Sequence, residues 1–404
     1  MHRDPSEVTS VEAVPAAKTD ASRRPGAAAE IEPLSCSAVL THHWLVRRRG
    51  GERVLEALCE LLPDAPIYAL VHDPAGFEQP DAEQFTGTAR PIRTSILQHI
   101  PGARRHYPKL LPLMPFAARR MKLPPVDLVV GSDAAIAKAM TPDSRSKVVC
   151  YCHSPMRYVW DLSDTYGATL PAMFRPLWGP LVRRIRIADR RAADRVDQFV
   201  ANSRHVADRI RRHYGRDGVV VYPPVDLPTA PATGPREDFY LCVGQHVPYK
   251  RLDLAVEACR KLGRELVVIG EGPDVRRYQP LGHSNVRWLG WQPSGVANQY
   301  YRCARGLLFP GEEDFGIVPV EAMSHGCPVI AYGVGGATES VIDGQTGVWF
   351  EQQTAECLVA AIERAEGMAF DPVAMHTHAQ RFSRVRFLRE MRAVLMSVLG
   401  IPAS

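Results

Sequence analysis

The chain has 404 residues, 46% of them hydrophobic and 23% charged, with a net charge of +5. That length is too great for one ordinary core and suits two α/β domains, and the balance is that of a soluble globular protein. No run approaches the roughly 20 apolar residues of a membrane span, no nucleic-acid motif accompanies the mild positive charge, and none of the Cys or His spacings fits a zinc site.

In chain order, residues 1–33 are rich in Ala, Pro, Ser, Glu and Arg and read as a disordered tail. They hold no apolar signal core, so a cytoplasmic setting with reduced cysteines is expected. A strand is predicted at 38–45, then Gly50-Gly51, then a helix from about 52 to 62. Further strands are predicted at 67–71, 128–131, 148–152 and 198–201, and a helix at 204–214. On the strand at 148–152, Cys150 and Cys152 share one face. Between these elements, residues 93–122 carry Arg93, Arg104, Arg105, Lys109, Arg119, Arg120 and Lys122 and no acid, with apolar side chains interleaved. Such a mixture suits an anionic membrane surface or a lipid-phosphate acceptor; a solvated helix face with a normal core side is the alternative. A second basic stretch runs from Arg183 to Arg195. The Pro-rich residues 227–235 read as a linker. A second α/β series follows, with strands at 239–243, 266–269, 286–289, 306–309, 328–331 and 347–350. Its helices are predicted at 252–262, 295–303 and 318–325. The divisions expected are a first domain over 34–226, completed by a closing helix within 381–404, and a second domain over 236–380. Alternating strands and helices predict parallel sheets, whose ligands bind past the carboxyl ends of the strands.

Past the strand at 239–243 stands Gly244-Gln245-His246-Val247-Pro248-Tyr249-Lys250-Arg251. A glycine there lets backbone approach a ligand. Lys250 and Arg251, just before a helix, can face an anion together with free helical N–H groups; a plain surface pair is the alternative. Gly270 and its neighbours follow the next strand, and Leu289 ends another, where backbone can meet a base; ordinary turns fit both as well. The strongest segment is Pro310-Gly311-Glu312-Glu313-Asp314-Phe315-Gly316-Ile317-Val318-Pro319-Val320-Glu321. Pro319 falls in a first helical turn, so the N–H groups of Gly316, Ile317 and Val318 form an anion site. Glu313 and Glu321 flank it. Carboxylates beside a diphosphate are there to accept hydroxyls, one set from a sugar and one from a ribose. Gly333-Val334-Gly335-Gly336 adds a close-approach loop, and Glu339 after it is equally a helix N-terminal acid favoured by the dipole.

On these residues the chain resembles the retaining glycosyltransferases of the two-Rossmann, GT-B type, family 4. In the second half the resemblance rests on VGQHVPYKRLDLAVEA, VVIGEGPD, VRWLGW and PGEEDFGIVPVEAMSHGCPVIAYGVGGATESVIDGQTG. In the first half Gly50-Gly51-Glu52 resembles the family's GG loop. The run YCHSPMRYVWD, residues 151–161, is similar to a signature of bacterial polysaccharide and lipopolysaccharide transferases, some of them mannosyltransferases. The resemblance implies two Rossmann-like domains facing a cleft. It puts Glu313 near the donor sugar, Glu321 on the ribose, Lys250 on the diphosphate, Gly51 beside donor and acceptor, and His153 at the sugar hydroxyls or the reaction centre. For His153 a structural histidine bonded to backbone is the alternative. Lys138 matches a family pattern without a clear role. Gln245 departs from the arginine usual at that position, and Gly131-Ser132-Asp133 departs from the usual Ser-Ser-His.

The function implied is metal-independent, anomer-retaining transfer of a hexose from a GDP- or UDP-sugar to a glycan or lipid-linked acceptor in cell-envelope synthesis. No cofactor, no metal and no nucleic acid is expected, and residues 93–122 would touch the inner face of the membrane. Two other readings share the nucleotide half: a catalytically silent nucleotide-sugar-binding subunit, motivated by Gln245, and a sugar-nucleotide epimerase of the same fold.

Overall fold

A computed structural model describes residues 31–77, 90–140, 142–168 and 170–402. Most of the tail expected over 1–33, and the last two residues of the closing segment, lie outside the described residues.

Seven strands form the first sheet in the order β3-β2-β1-β4-β5-β6-β7: β1 Ala38–His42, β2 Ile67–Ala69, β3 Ile92–Thr94, β4 Leu128–Asp133, β5 Lys147–Cys152, β6 Gln198–Ala201 and β7 Gly218–Val220. Six form the second in the order β10-β9-β8-β11-β12-β13: β8 Phe239–Val243, β9 Glu265–Ile269, β10 Val286–Gly290, β11 Gly306–Phe309, β12 Val329–Tyr332 and β13 Gly347–Phe350. Every pairing within them is parallel. Side chains alternate across each sheet. Val39, Val129, Cys150 and Cys152 enter one core of the first sheet, and Leu40, Val130, Val149 and Tyr151 the other.

The closing helix, Arg384–Leu399, returns to the first sheet. Phe387, Met391 and Leu395 recur one turn apart and are fully buried against Leu40, Val130 and Tyr151. Burial of each contributes about 1.5–3 kcal/mol. Residues 227–235 run between the sheets, and the N–H of Ala232 bonds the His325 carbonyl at 3.3 Å, tying that stretch to the second half.

Several boundaries shift by one or two residues, β3, β7 and the helix Arg175–Ala193 were not predicted, and two larger differences bear on the cleft. The strand predicted to 45 leaves the sheet after His42 and touches it again at the bridge Leu45↔His72. The helix predicted from about 52 begins at Gly50, because Glu52 reaches back to the Arg49 N–H at 3.0 Å and caps a turn that includes both glycines.

Candidate active site

In each sheet the strand order reverses once, between β1 and β4 and between β8 and β11. The crevice outside such a switch point is where open α/β sheets take ligands. The loops leaving these four strands carry Gly50-Gly51, Asp133–Lys138, Gly244–Arg251 and Pro310–Gly316. Most of the singled-out residues therefore converge for a topological reason.

On the second sheet Gly244 has φ 134°, a backbone that L side chains rarely adopt, and a Cβ there would lie 3.4 Å from the Lys250 Nζ. The ammonium thus lies over a stretch of bare backbone. It pairs with a Glu313 carboxylate oxygen at 2.7 Å, and both residues line one small cavity with His246 and Gly311. The acidic loop is wedged in place: a Cβ at Gly311 would meet the Lys250 Cα at 2.6 Å, and one at Gly335 the Glu313 carbonyl at 2.6 Å. Gln245 is exposed. Arg251 directs its guanidinium to Asp253 at 3.0 Å instead of toward Lys250. Gly270 serves packing, since a Cβ there would strike the Gly244 carbonyl at 1.9 Å. The Leu289 carbonyl accepts from the Gln292 amide at 2.7 Å.

Gly316, at φ 85°, caps the helix Ile317–Ser324. The opening N–H groups of that helix, starting at Ile317 and Val318, have no acceptor within it. Glu321 lies one turn in. Its carboxylate takes the Arg53 guanidinium on one oxygen and the Tyr301 hydroxyl, at 3.1 Å, on the other. Arg53 comes from the helix Gly50–Leu61 of the first sheet. At the start of that helix a Cβ on Gly50 would meet the Ile317 side chain at 2.9 Å. The two helix starts touch across the cleft.

From the first sheet, His153 stands just past β5, and its Nε2 and the Ser132 hydroxyl share a hydrogen bond of 2.8 Å. A Cβ at Gly51 would lie 3.5 Å from that nitrogen and 3.6 Å from His42. His42 and His43 are buried behind it. Burial, with the neighbouring imidazoles, pushes His153 down to about 3; burial lowers His42 to about 4 and His43 to about 3. All three are neutral near pH 7, so His153 can exchange hydrogen bonds with hydroxyls but brings no positive charge. Burial raises the Glu52 carboxyl. One of its oxygens holds the Arg49 N–H and the other faces His42 at 3.5 Å.

Lys138 now has a structural account. Its buried ammonium bridges Asp133 at 3.0 Å and Asp189 at 2.7 Å, and Trp160 and Tyr214 also donate to Asp189, at 2.8 and 2.9 Å. Burial opposes the lysine charge, but the two carboxylates outweigh it and hold Lys138 well above its ordinary value. Glu339 reaches across the cleft and accepts the N–H groups of Arg204 and His205, at 2.9 and 3.0 Å, at the start of the helix Arg204–Tyr214.

Sequence reasoning passed over Arg53, Glu52 as a cleft carboxylate, Arg157 and Arg209, and grouped Asp314 with Glu312 and Glu313 at the sugar, whereas its carboxylate meets Arg157 and Arg209. Arg209 and Asp314 meet although 105 residues apart, which no local pattern announces. Among the described residues no three His, Cys, Asp or Glu side chains gather as metal ligands.

The sequence model described as "Glycosyltransferase Family 4" matches residues 48–228, and "Glycosyl transferases group 1" matches 229–380. A D-inositol 3-phosphate glycosyltransferase of Mycobacterium sp. (strain KMS) is 30% identical over 187 residues, 40% of this chain and 43% of that protein. The chain spans about half the length of the curated relatives it matches. Among solved structures, Anabaena HepE in complex with UDP aligns with a TM-score of 0.62 at 17% identity, over 89% of this chain and 100% of that one. The lipopolysaccharide outer core galactosyltransferase WaaB aligns at 0.61 and 16%, over 89% and 99%. At such identities these two speak for the fold, which is GT-B.

Proposed function

This chain belongs to the family 4 glycosyltransferases, and on that premise we propose that it moves a hexose from a nucleoside-diphosphate sugar to a glycolipid or polysaccharide acceptor of the cell envelope, retaining the anomeric configuration and using no metal. The observation that carries this reading is the placement of Lys250, paired with Glu313 above the bare backbone of Gly244, at a switch point whose next helix begins at Ile317 and carries Glu321. HepE, of the same fold, was solved with UDP and with UDP-glucose.

The ion pairs of the cleft mark what a donor replaces. The diphosphate takes Lys250 from Glu313 and sits at the N–H groups of Gly316, Ile317 and Val318, while the ribose hydroxyls take Glu321 from Arg53. Glu313 then accepts hydroxyls of the sugar, and His153 meets them from the first sheet beside Gly51. As the bond from C1 to the diphosphate breaks, the charge developing on the leaving oxygen falls on donors already in position; each such donor is worth about 3–4 kcal/mol to the transition state. The acceptor oxygen bonds C1 on the face the diphosphate leaves, and its proton passes to the departing phosphate oxygen. Glu52 is buried, burial raises its carboxyl, and one of its oxygens holds the Arg49 N–H, which favours this front-face route over a covalent intermediate on that carboxylate.

The acceptor's lipid end has a seat on the first domain in this reading. Leu113 and Phe116 are exposed beside Arg119 and Arg120, and the neighbouring helix Arg175–Ala193 exposes Leu177 and Ile187 among Arg183, Arg184 and Arg191. Apolar groups ringed by arginine suit an anionic lipid surface. No helix of the described residues is long and apolar enough to cross a membrane.

The test is label transfer from UDP- and GDP-hexoses to a cell-envelope lipid extract, with the anomer of the product assigned by NMR. Labelled glycolipid of retained configuration is expected. Binding without transfer would favour a silent subunit, conversion of free donor an epimerase, and an inverted product would refute the mechanism.

A further inference from the structure

The tripeptide Glu312-Glu313-Asp314 offers the proposed sugar site only its middle residue. The outer two face the other domain. The Asp314 carboxylate takes Arg157 at 3.0 Å, Arg209 on its second oxygen, and the Ser154 hydroxyl at 3.3 Å. The Asp314 carbonyl accepts the Ser203 hydroxyl, and the Glu312 carbonyl accepts Arg157 at 3.0 Å. Arg157 also lies 5.0 Å over the ring of Tyr249, the residue before Lys250. Arg209 is buried, and its second nitrogen is held by Asp161 and the Pro155 carbonyl. Ser154, Arg157 and Asp161 all come from the run YCHSPMRYVWD, of which the transfer reading used only His153. Ser203 and Arg209 belong to the cap and body of the helix Arg204–Tyr214, the same helix whose first N–H groups rest on Glu339.

We propose that Arg157 and Arg209, gripping Asp314, are positioning residues that set Glu313 and Lys250 in register with His153 only when the domains are closed. Three physical points support this. Bidentate and charge-assisted bonds to a half-buried carboxylate fix orientation as well as distance. Glu313 lies between two residues pinned to the other domain, and its own carbonyl is held within the second domain by the Gly336 N–H at 2.8 Å, so the acidic loop moves with its own sheet and the clamp sets that sheet's register against His153. With the domains apart, Asp314 loses all three side-chain partners at once, and nothing else described on the second sheet is bonded to it. Nucleotide contacts, by contrast, lie on Lys250, Glu321 and the helix start within the second domain. Donor binding and site assembly are therefore separable events.

The kinetic arm rests on the transfer reading; the scattering arm does not. Asp314→Asn and, from the other domain, Arg157→Gln are compared with the unaltered chain. UDP and GDP affinities by calorimetry are expected to stay within about threefold. Turnover is expected to fall at least thirtyfold, with the ratio of donor hydrolysis to transfer rising. The double variant is expected to be no more than about threefold worse than either single one, since both remove one interaction. Arg157→Lys is expected to recover part of the rate. Small-angle scattering with UDP bound is expected to show more open domains in both variants. Turnover within threefold, affinity falling in step with turnover, additive losses, or unchanged scattering would each overturn the proposal. If the unaltered chain transfers nothing, the transfer reading fails, and the scattering comparison still decides the clamp.

Discussion

The two sides of the cleft hold their polar groups in opposite states. The first sheet locks them away. Lys138 is 6% exposed between two buried carboxylates, and three histidines are kept neutral by burial. The second sheet leaves its ionic groups half-buried in pairs, Lys250 on Glu313 and Glu321 on Arg53, within reach of a ligand that displaces a partner. One side is thus built as a fixed wall and the other as an exchangeable floor. A floor of that kind suits a charged substrate that must enter, react and leave, because its ionic groups are paired but not sealed away from solvent.

Four measurements would break or sharpen that contrast. The largest effect is expected at the wall. Lys138→Met leaves Asp133 and Asp189 uncompensated, and breaking a buried pair in this way costs about 3–5 kcal/mol. Urea unfolding should show the loss; less than about 1 kcal/mol would mean that the buried charges do not hold this wall. On the floor, Lys250→Ala and Glu313→Ala should fold normally yet reduce transfer about 100- to 1,000-fold, read by label incorporation. Near-normal turnover in either would remove the exchange picture.

Acidity separates the sides next. His42, His43 and His153 take up protons near pH 6.5 when unfolded but only near 3–4 when folded. The unfolded chain therefore gains protons first as pH falls. Stability contributed by these residues is intact above about 6.5 and is lost progressively as pH falls from there through about 3–4. Glu52, raised by burial, works in the other direction and softens the slope. Urea midpoints from pH 7 to 4.5 should show a steep decline; a flat profile would mean the wall is wetter than described. The smallest effect is expected for Arg53→Ala. Freeing Glu321 from its partner should tighten UDP or GDP binding a few-fold, since the ribose would no longer have to displace a guanidinium to reach the carboxylate. Weaker binding by calorimetry would instead give Arg53 a hold on the nucleotide.

Much of the molecule was readable in advance where a local signal existed. The helices at 204–214 and 252–262 and the strands at 198–201, 239–243, 306–309 and 347–350 lie where periodicity put them. Pro319 and Gly316 marked a helix start to within a residue. Other expectations took a different form. Arg251 was grouped with Lys250 because they are adjacent, but the αL backbone at Arg251, φ 54°, accompanies a guanidinium turned onto Asp253. Gly270 was singled out for backbone at a strand end, and the structure packs it against the Gly244 backbone, where a Cβ would strike the carbonyl at 1.9 Å.

By itself the sequence determined most of the strands and helices that border the cleft, the glycines at strand ends and the acids that follow them, because spacing, capping and backbone freedom act over a few residues. Only the tertiary structure decided the partners: Arg53 with Glu321 across 268 positions, Arg209 with Asp314 across 105, Glu339 with the start of a helix in the other domain. Charges pair through space, and which ones meet depends on how two sheets, each reversing its strand order, come to face one another.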